Sequence, residues 1–442
     1  MTAEIALLNK FGVALAADSA VSIENGNGVK VYNSANKLFS LSKFTPVGIM
    51  VFGDSSFMNV PWETLIKVYR KRLGNTTHPD LMDYCRDFIN FLLSQKECLS
   101  ITAEKLLMSR LTSLHLNSVF EKTNMRMEEV FTNKAPNSEE RIEALKKELL
   151  QHIQIINREK NLTNMPQYTK EDFLSRFSES ILETGQYLIN IHELDNDLEN
   201  LLLDLMFLVS FKNLYNYTTN YSGVVITGFG ENNLFPSIYS YRTDGVIMGQ
   251  LRYELYDEDH IGNEVNNASA LIKPFAQQEM VHSFVEGINS DLKEILTTSL
   301  QQIFKESLPE MILTSMENLS SDISTQLEHS LKVSGQNVLE SFENTLEELI
   351  SDRYSGPLMR NLANLHKEEL ASLAKALVNL TSLKRKVTSD AETVGGPIDV
   401  AVISKGDGFI WIDRKHYFNS QLNYSFFNKY LMDGDSNVFN TK

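Results

Sequence analysis

The sequence predicts an α+β protein whose sheet is assembled from segments far apart in the chain. Three observations lead there. The first residues hold two short apolar segments rich in Ala, Val, Leu and Ile, and similar segments return near residues 222 and 398. Between them lie two long charged stretches whose apolar residues recur every three to four positions, the period of an amphipathic helix. No fixed-period repeat and no low-complexity linker interrupts this order.

"EIALLNK" and "GVALAADSAVS" read as strands joined by a hairpin turn at "NKFG", where Asn and Gly suit the tight backbone. "PVGIMVFG" is a continuous apolar run ended by Gly53. The following "DSSFMNVPWETLIKVYRKRLG" opens with helix-start residues, so this part reads strand, glycine, helix N-terminus, with Ser55 and Ser56 as N-caps or, alternatively, substrate contacts. From about Asp80 to Phe211 the spacing in segments such as "LMDYCRDFINFLL" predicts a helical insertion. Strands resume in "YSGVVITGFG" and "FPSIYSYRTDGVIMGQLRYELY".

A second helical block runs from about Pro274 to Thr388. Phe284, Ile288, Leu292, Leu296, Leu300, Ile303, Met316, Leu319, Ile323, Leu327 and Leu331 form a stripe. The stripe predicts a face packed on a neighbouring helix; the alternative is an assembly surface or a cap over a site. Pro309, "KVSGQ" at 332–336 and "RYSGP" at 353–357 are expected to kink or end these helices. "VGGPIDVAVISKGDGFIWIDRK" supplies two closing strands around "KGDG". The expected organisation is 1–79 as the first part of a core, 80–211 as a helical insertion and 212–283 as further core. Residues 284–364 form a second insertion, and 365–442 are the closing helix and strands.

Composition narrows the function. The 442 residues carry a formal net charge of −16, which disfavours nucleic acid or an anionic membrane as partner, because phosphate binding needs a basic surface. Two cysteines, Cys85 and Cys98, do not make a disulfide framework, and the expectation is reduced thiols in a cytoplasmic protein. The start lacks the basic and apolar regions of a signal peptide, and no run of eighteen apolar residues occurs. The nine histidines are scattered, and "HELD" at 192–195 has the wrong spacing for a helical zinc site. "GNGVK" and "GFGEN" complete no phosphate-binding loop, so no metal or other cofactor is expected and any ATPase would be a separate partner.

The chemistry gathers at the start of the chain. With Met1 removed, which the small Thr2 side chain favours, Thr2 carries a hydroxyl and a free α-amine. A hydroxyl nucleophile needs an adjacent base, and an α-amine with a pKa of roughly 7.7–8.0 can serve. Asp18 lies in the second strand, which the hairpin folds back beside Thr2. A buried carboxylate needs a partner, and Lys37 in "SANKLFSL" is the natural one. The backbone N–H of Gly53, at the expected strand-to-helix junction, is the candidate donor to a developing oxyanion. Each residue also has a plain reading: Asp18 as a turn cap, Lys37 as a surface lysine, Gly53 as a packing glycine.

Thr2, "ALAADSA", "NKLF", "GIMVFGD" and "GGPIDVAVI" together resemble the β subunits of the proteasome and their bacterial relatives of the HslV and Anbu type, within the N-terminal-nucleophile hydrolases. Asp18 stands sixteen residues after Thr2, as in that family. Lys37 resembles its active-site lysine and Gly53 its oxyanion glycine. The resemblance covers roughly residues 2–72, 221–290 and 365–415. It implies a four-layer αββα sandwich, acyl transfer through an ester on Thr2, a peptide substrate and a homo-oligomeric ring or spiral, to which a separate ATPase unfoldase is a candidate partner. The long helical insertions have no counterpart in ordinary proteasome subunits. A small-molecule amidohydrolase and a non-catalytic scaffold are the alternatives.

The pattern departs from the family in two places. The segment from Lys37 to Gly53 is slightly longer, and "SDAETVGG" puts Val394 before the double glycine. Asp390 and Thr393 are therefore candidates only for a supporting hydrogen-bond network. Ser19 is a further supporting candidate because a hydroxyl there could bond the terminal amine, and Ser269 is a candidate third hydroxyl.

Overall fold

The computed structural model describes residues 3–25, 28–130, 137–189, 195–218, 220–263, 267–316, 320–388 and 394–425. It is a mixed α+β structure with antiparallel sheets. The chain divides into two compact units: a terminal unit, Met1–Leu38 with Ile261–Lys442, and a central unit, Phe39–His260.

In the terminal unit, Ala3–Asn9 and Gly12–Ala17 form the expected hairpin, with Asn9 opposite Gly12 across a two-residue turn. These strands are the heart of a five-stranded sheet. Ala270–Ala276 pairs with the first strand, Asp399–Ser404 with the second, and Gly408–Asp413 closes the sheet beyond it. Both faces of the hairpin are buried, which is why its sequence is continuously apolar rather than alternating. Helix Lys367–Val387 buries Leu370, Ala371, Ala374, Leu377, Val378 and Thr381, one stripe at helical spacing. Its apolar members share a core with Ile5, Leu7, Ala14, Ala16, Val400 and Val402. Alanines on both partners let helix and sheet approach closely, and each buried leucine contributes about 1.5–3 kcal/mol.

The central unit holds the second five-stranded sheet. Its order is Gln250–His260, Ser237–Ile247, Ser222–Gly228, Val47–Gly53 and Leu38–Ser40, the last strand starting at the unit boundary. Helices Trp62–Leu73 and Leu81–Leu92 share its core. The expected insertion forms helices Ile101–Val130, Ser138–Arg158, Lys170–Ile189 and Asn196–Val209. These helices join the same core as the sheet strands. Glu104 ties them together: its carboxylate accepts from the backbone N–H groups of Met248 (2.9 Å) and Gly249 (3.1 Å) at a sheet turn and pairs with Arg176 at 3.1 Å.

Two local expectations are corrected, and a third is met in its weaker form. Ser55 and Ser56 do not cap a helix: Ser56–Phe57 and Val60–Pro61 pair as a short hairpin, and the helix begins only at Trp62 with Pro61 before it. "KVSGQ" breaks nothing, because helix Ser321–Ile350 runs through it. A Cβ on Gly335 would come within 2.4 Å of the Phe304 carbonyl oxygen, so this glycine serves close helix packing rather than helix termination. Pro309 and Pro357 interrupt helices without ending them. Each stands at the second position of a helical segment preceded by a π-helical turn, Ile303–Ser307 and Ser351–Ser355, where a wider turn accommodates the missing N–H.

The stripe of the second block also departs from expectation. Phe284, Leu292, Leu296, Ile303, Met316 and Ile323 are exposed, and Leu319 lies outside the described residues. The long helix Ser321–Ile350 instead buries Gly335, Leu339 and Ile350, one face displaced from the sequence stripe.

Candidate active site

Asp18 follows the last residue of the second strand, and its own N–H continues the ladder to the Ala3 carbonyl at 3.0 Å. The chain then leaves through a hairpin, Val21–Asn25 with Gly28–Tyr32. It returns where the Ala35 N–H donates to the Ser19 carbonyl at 3.1 Å. That excursion delivers Lys37 back to its starting point. Lys37 Nζ lies 2.5 Å from Asp18 Oδ1, and both side chains are buried.

The carboxylate of Asp18 has further donors. Oδ1 accepts from the Ala3 N–H at 3.1 Å; Oδ2 accepts from Ala20 at 3.2 Å and Gly395 at 2.9 Å. Four chain segments thus converge on one acid: the start of the first strand, the end of the second, the lysine segment and the double glycine. A buried charge pair is tolerable only when its remaining hydrogen-bonding capacity is met, and here it is met largely by backbone. The Ala3 contact is the informative one, since it fixes the chain at the residue after position 2. An ammonium has three N–H donors, and Asp18 takes one of them.

Ser19 joins the same cluster structurally. Its N–H donates to the Gly395 carbonyl at 3.1 Å and its hydroxyl to the Pro397 carbonyl, which docks the double-glycine segment on the strand end. Thr2, Asp390 and Thr393 lie outside the described residues. Ser269 does not belong here: it is exposed and adjoins Ala270, which pairs with Asn9, whereas Ala276 at the other end of that strand pairs with Ala3. Six residues of strand, about 20 Å, separate it from the Asp18 end.

Gly53 belongs to the central unit, at the end of strand Val47–Gly53. It has φ +80°, and a Cβ there would come within 2.1 Å of the Tyr221 carbonyl oxygen, so backbone geometry alone requires glycine. The strand-to-helix junction expected at Gly53 is absent, because a hairpin precedes helix Trp62–Leu73. A helix dipole acts only within its first turn, so it does not reach Gly53.

Sequence reasoning missed Glu4. It is buried in the first strand, and neither carboxyl oxygen has a hydrogen-bond partner among the described residues. Burial holds its pKa well above the usual carboxylate range; Lys37 opposes the shift and the negative charge of Asp18 adds to it. With Glu4 protonated, the cluster carries one negative and one positive charge. A raised pKa means that the native state keeps a proton the unfolded chain releases above about pH 4.3. Stability contributed by this group is therefore full below that pH and falls as pH rises toward the native pKa, by up to about 1.4 kcal/mol per unit. Glu4→Gln, which stays neutral, should gain stability relative to the parent between pH 5 and pH 8 in denaturant titrations. A difference that stays flat with pH would contradict this.

Among the described residues no group of three or more His, Cys, Asp or Glu is placed to hold a metal ion, and no helix is long and apolar enough to cross a membrane. Cys85 and Cys98 are free, buried thiols whose pKa values burial pushes up to about 12 and about 11. Comparison with known proteins finds no family model that matches this chain and no curated protein that matches it.

Proposed function

We propose that this chain is a threonine-type N-terminal-nucleophile hydrolase that cleaves peptide or other amide bonds after removal of Met1. One observation carries the reading: the buried Lys37–Asp18 pair is hydrogen-bonded to the Ala3 N–H, adjoining the residue assigned as nucleophile. In the proposed reaction the Thr2 hydroxyl adds to the amide carbonyl carbon while the α-amine takes its proton. The C–N bond then breaks as the leaving amine accepts that proton, and water hydrolyses the resulting ester to regenerate Thr2. Lys37 would keep the α-amine unprotonated by its positive charge, and Asp18 would hold Lys37.

A four-layer arrangement, a cytoplasmic setting, a homo-oligomeric ring or spiral and a separate ATPase unfoldase belong to the same proposal. Two five-stranded antiparallel sheets, one of them sharing its core with helix Lys367–Val387 and the other with the central helices, support the first. The test is intact-mass analysis after treatment with an epoxyketone or a β-lactone. A stoichiometric adduct is expected on the parent chain and none on Thr2→Ala; an adduct that persists on Thr2→Ala would sink the assignment.

The exposed apolar residues along 284–323 favour a second reading, a non-catalytic scaffold that binds a partner through its helical block. Terminal sequencing distinguishes the two, because a retained Met1 in the folded protein leaves no free α-amine on Thr2.

A further inference from the structure

The central unit contains a cavity of about 970 Å³ that the proposed chemistry does not use. Its size falls in the range of small-molecule sites. Leu111, Leu114, Ile156, Val209 and Leu214 give it largely apolar walls. At its base, Arg252 and Asp244 neutralise one another through two hydrogen bonds of 2.9 and 3.0 Å. The Tyr215 hydroxyl donates to Asp244 at 3.1 Å, and Arg252 also donates to the Val209 carbonyl. Both charges are thereby spoken for.

On the wall, His115 Nδ1 and His152 Nε2 are 3.0 Å apart, joining helices Ile101–Val130 and Ser138–Arg158. Burial lowers their pKa values to about 3 and about 4; His152 and Arg252 add to the shift at His115, and Lys122 to that at His152. Two neutral imidazoles sharing one proton leave His152 Nδ1 as a donor in one tautomer and an acceptor in the other. That atom is buried and has no partner among the described residues.

We propose that this cavity binds an uncharged, largely apolar small molecule whose hydroxyl or amide group hydrogen-bonds to the His115–His152 pair. A charged ligand would lose its hydration without finding a free counter-charge at the base, since Asp244 and Arg252 are committed to each other. Of the other charged lining residues, Glu159 accepts from the Tyr217 hydroxyl, and Glu121 and Lys122 are exposed, where an ion pair contributes little. An uncharged group needs only a donor or acceptor, which the imidazole pair supplies in either tautomer. The apolar body of the ligand would cover the leucine and isoleucine walls.

Competition against the uncharged dye Nile red tests this with three ligands of one tail, 1-decanol, decanoate and decylammonium. Decanol should displace the dye at a concentration at least about tenfold lower than either charged homologue. Leu114→Trp fills the cavity and should weaken both dye and decanol by at least about tenfold. Ile155→Trp, at a half-exposed wall position that tolerates a larger side chain, should weaken them in the same direction with circular dichroism unchanged. Equal or stronger competition by a charged homologue, no dye binding, or dye binding indifferent to Ile155→Trp would each overturn the proposal. None of these readouts depends on hydrolytic activity.

Discussion

Asp18→Ala should lower the stability of the chain by about 3–5 kcal/mol, the range for breaking a buried ion pair from one side. The substitution strands the buried Lys37 ammonium and removes the acceptor of three backbone N–H groups, those of Ala3, Ala20 and Gly395. Each unmet buried donor costs about 1–3 kcal/mol on its own, so relaxation and water entry must already absorb part of the loss. Asp18→Asn keeps one acceptor oxygen and should lose less. The double variant Asp18→Ala with Lys37→Met should recover part of the loss, because an apolar side chain then occupies the place of the stranded charge. Denaturant midpoints for the four proteins of this cycle give the coupling energy directly. A single-variant loss below about 1 kcal/mol, as for an exposed pair, would show that water already reaches the pair.

The legibility of this cluster follows from how each residue signals. Asp18 could be read because an acid inside "LAADSA" has no solvent-facing alternation to explain it, and the hairpin turn at "NKFG" fixes which strand it borders. Lys37 could be read as its partner because burial demands one. Gly395 was legible as part of a double-glycine motif but not as a donor to Asp18, since nothing local tells where a segment more than 370 residues downstream will dock. Glu4 was illegible for the opposite reason. A lone acid early in a strand normally marks the wet face, and only a sheet buried on both faces makes it costly.

The fold shows the same division. Hairpin registers and the Leu370–Thr381 stripe follow from period and turn chemistry, which act within a few residues. The short hairpin after Gly53 turns through Met58 and Asn59 at positive φ, and methionine carries no turn signal. Helix Ser321–Ile350 keeps Gly335 because a neighbouring backbone approaches there, a tertiary fact that overrides the local preference of glycine for breaks.

Lys37→Met should reduce the rate of covalent labelling at Thr2 by about a thousandfold, within the span usual for general acid–base effects, while the chain stays folded. Methionine matches the length and volume of the lysine stem, and Asp18 keeps its three backbone donors, so the strand ends remain tied. What disappears is the positive charge that the proposed chemistry places beside the nucleophile. Under the proposed chemistry that charge depresses the α-amine pKa, because a nearby like charge disfavours protonation. Without it the amine returns toward roughly 7.7–8.0, so the labelling-rate profile should shift to higher pH as its plateau falls. Stability falls in either case, because Asp18 loses its buried counter-charge, but a purely structural lysine would leave the profile in place. The profile is therefore the decisive readout: Lys37→Met that labels at the parent rate with an unmoved pH midpoint would reduce the Asp18–Lys37 pair to a structural tie at the end of the first hairpin.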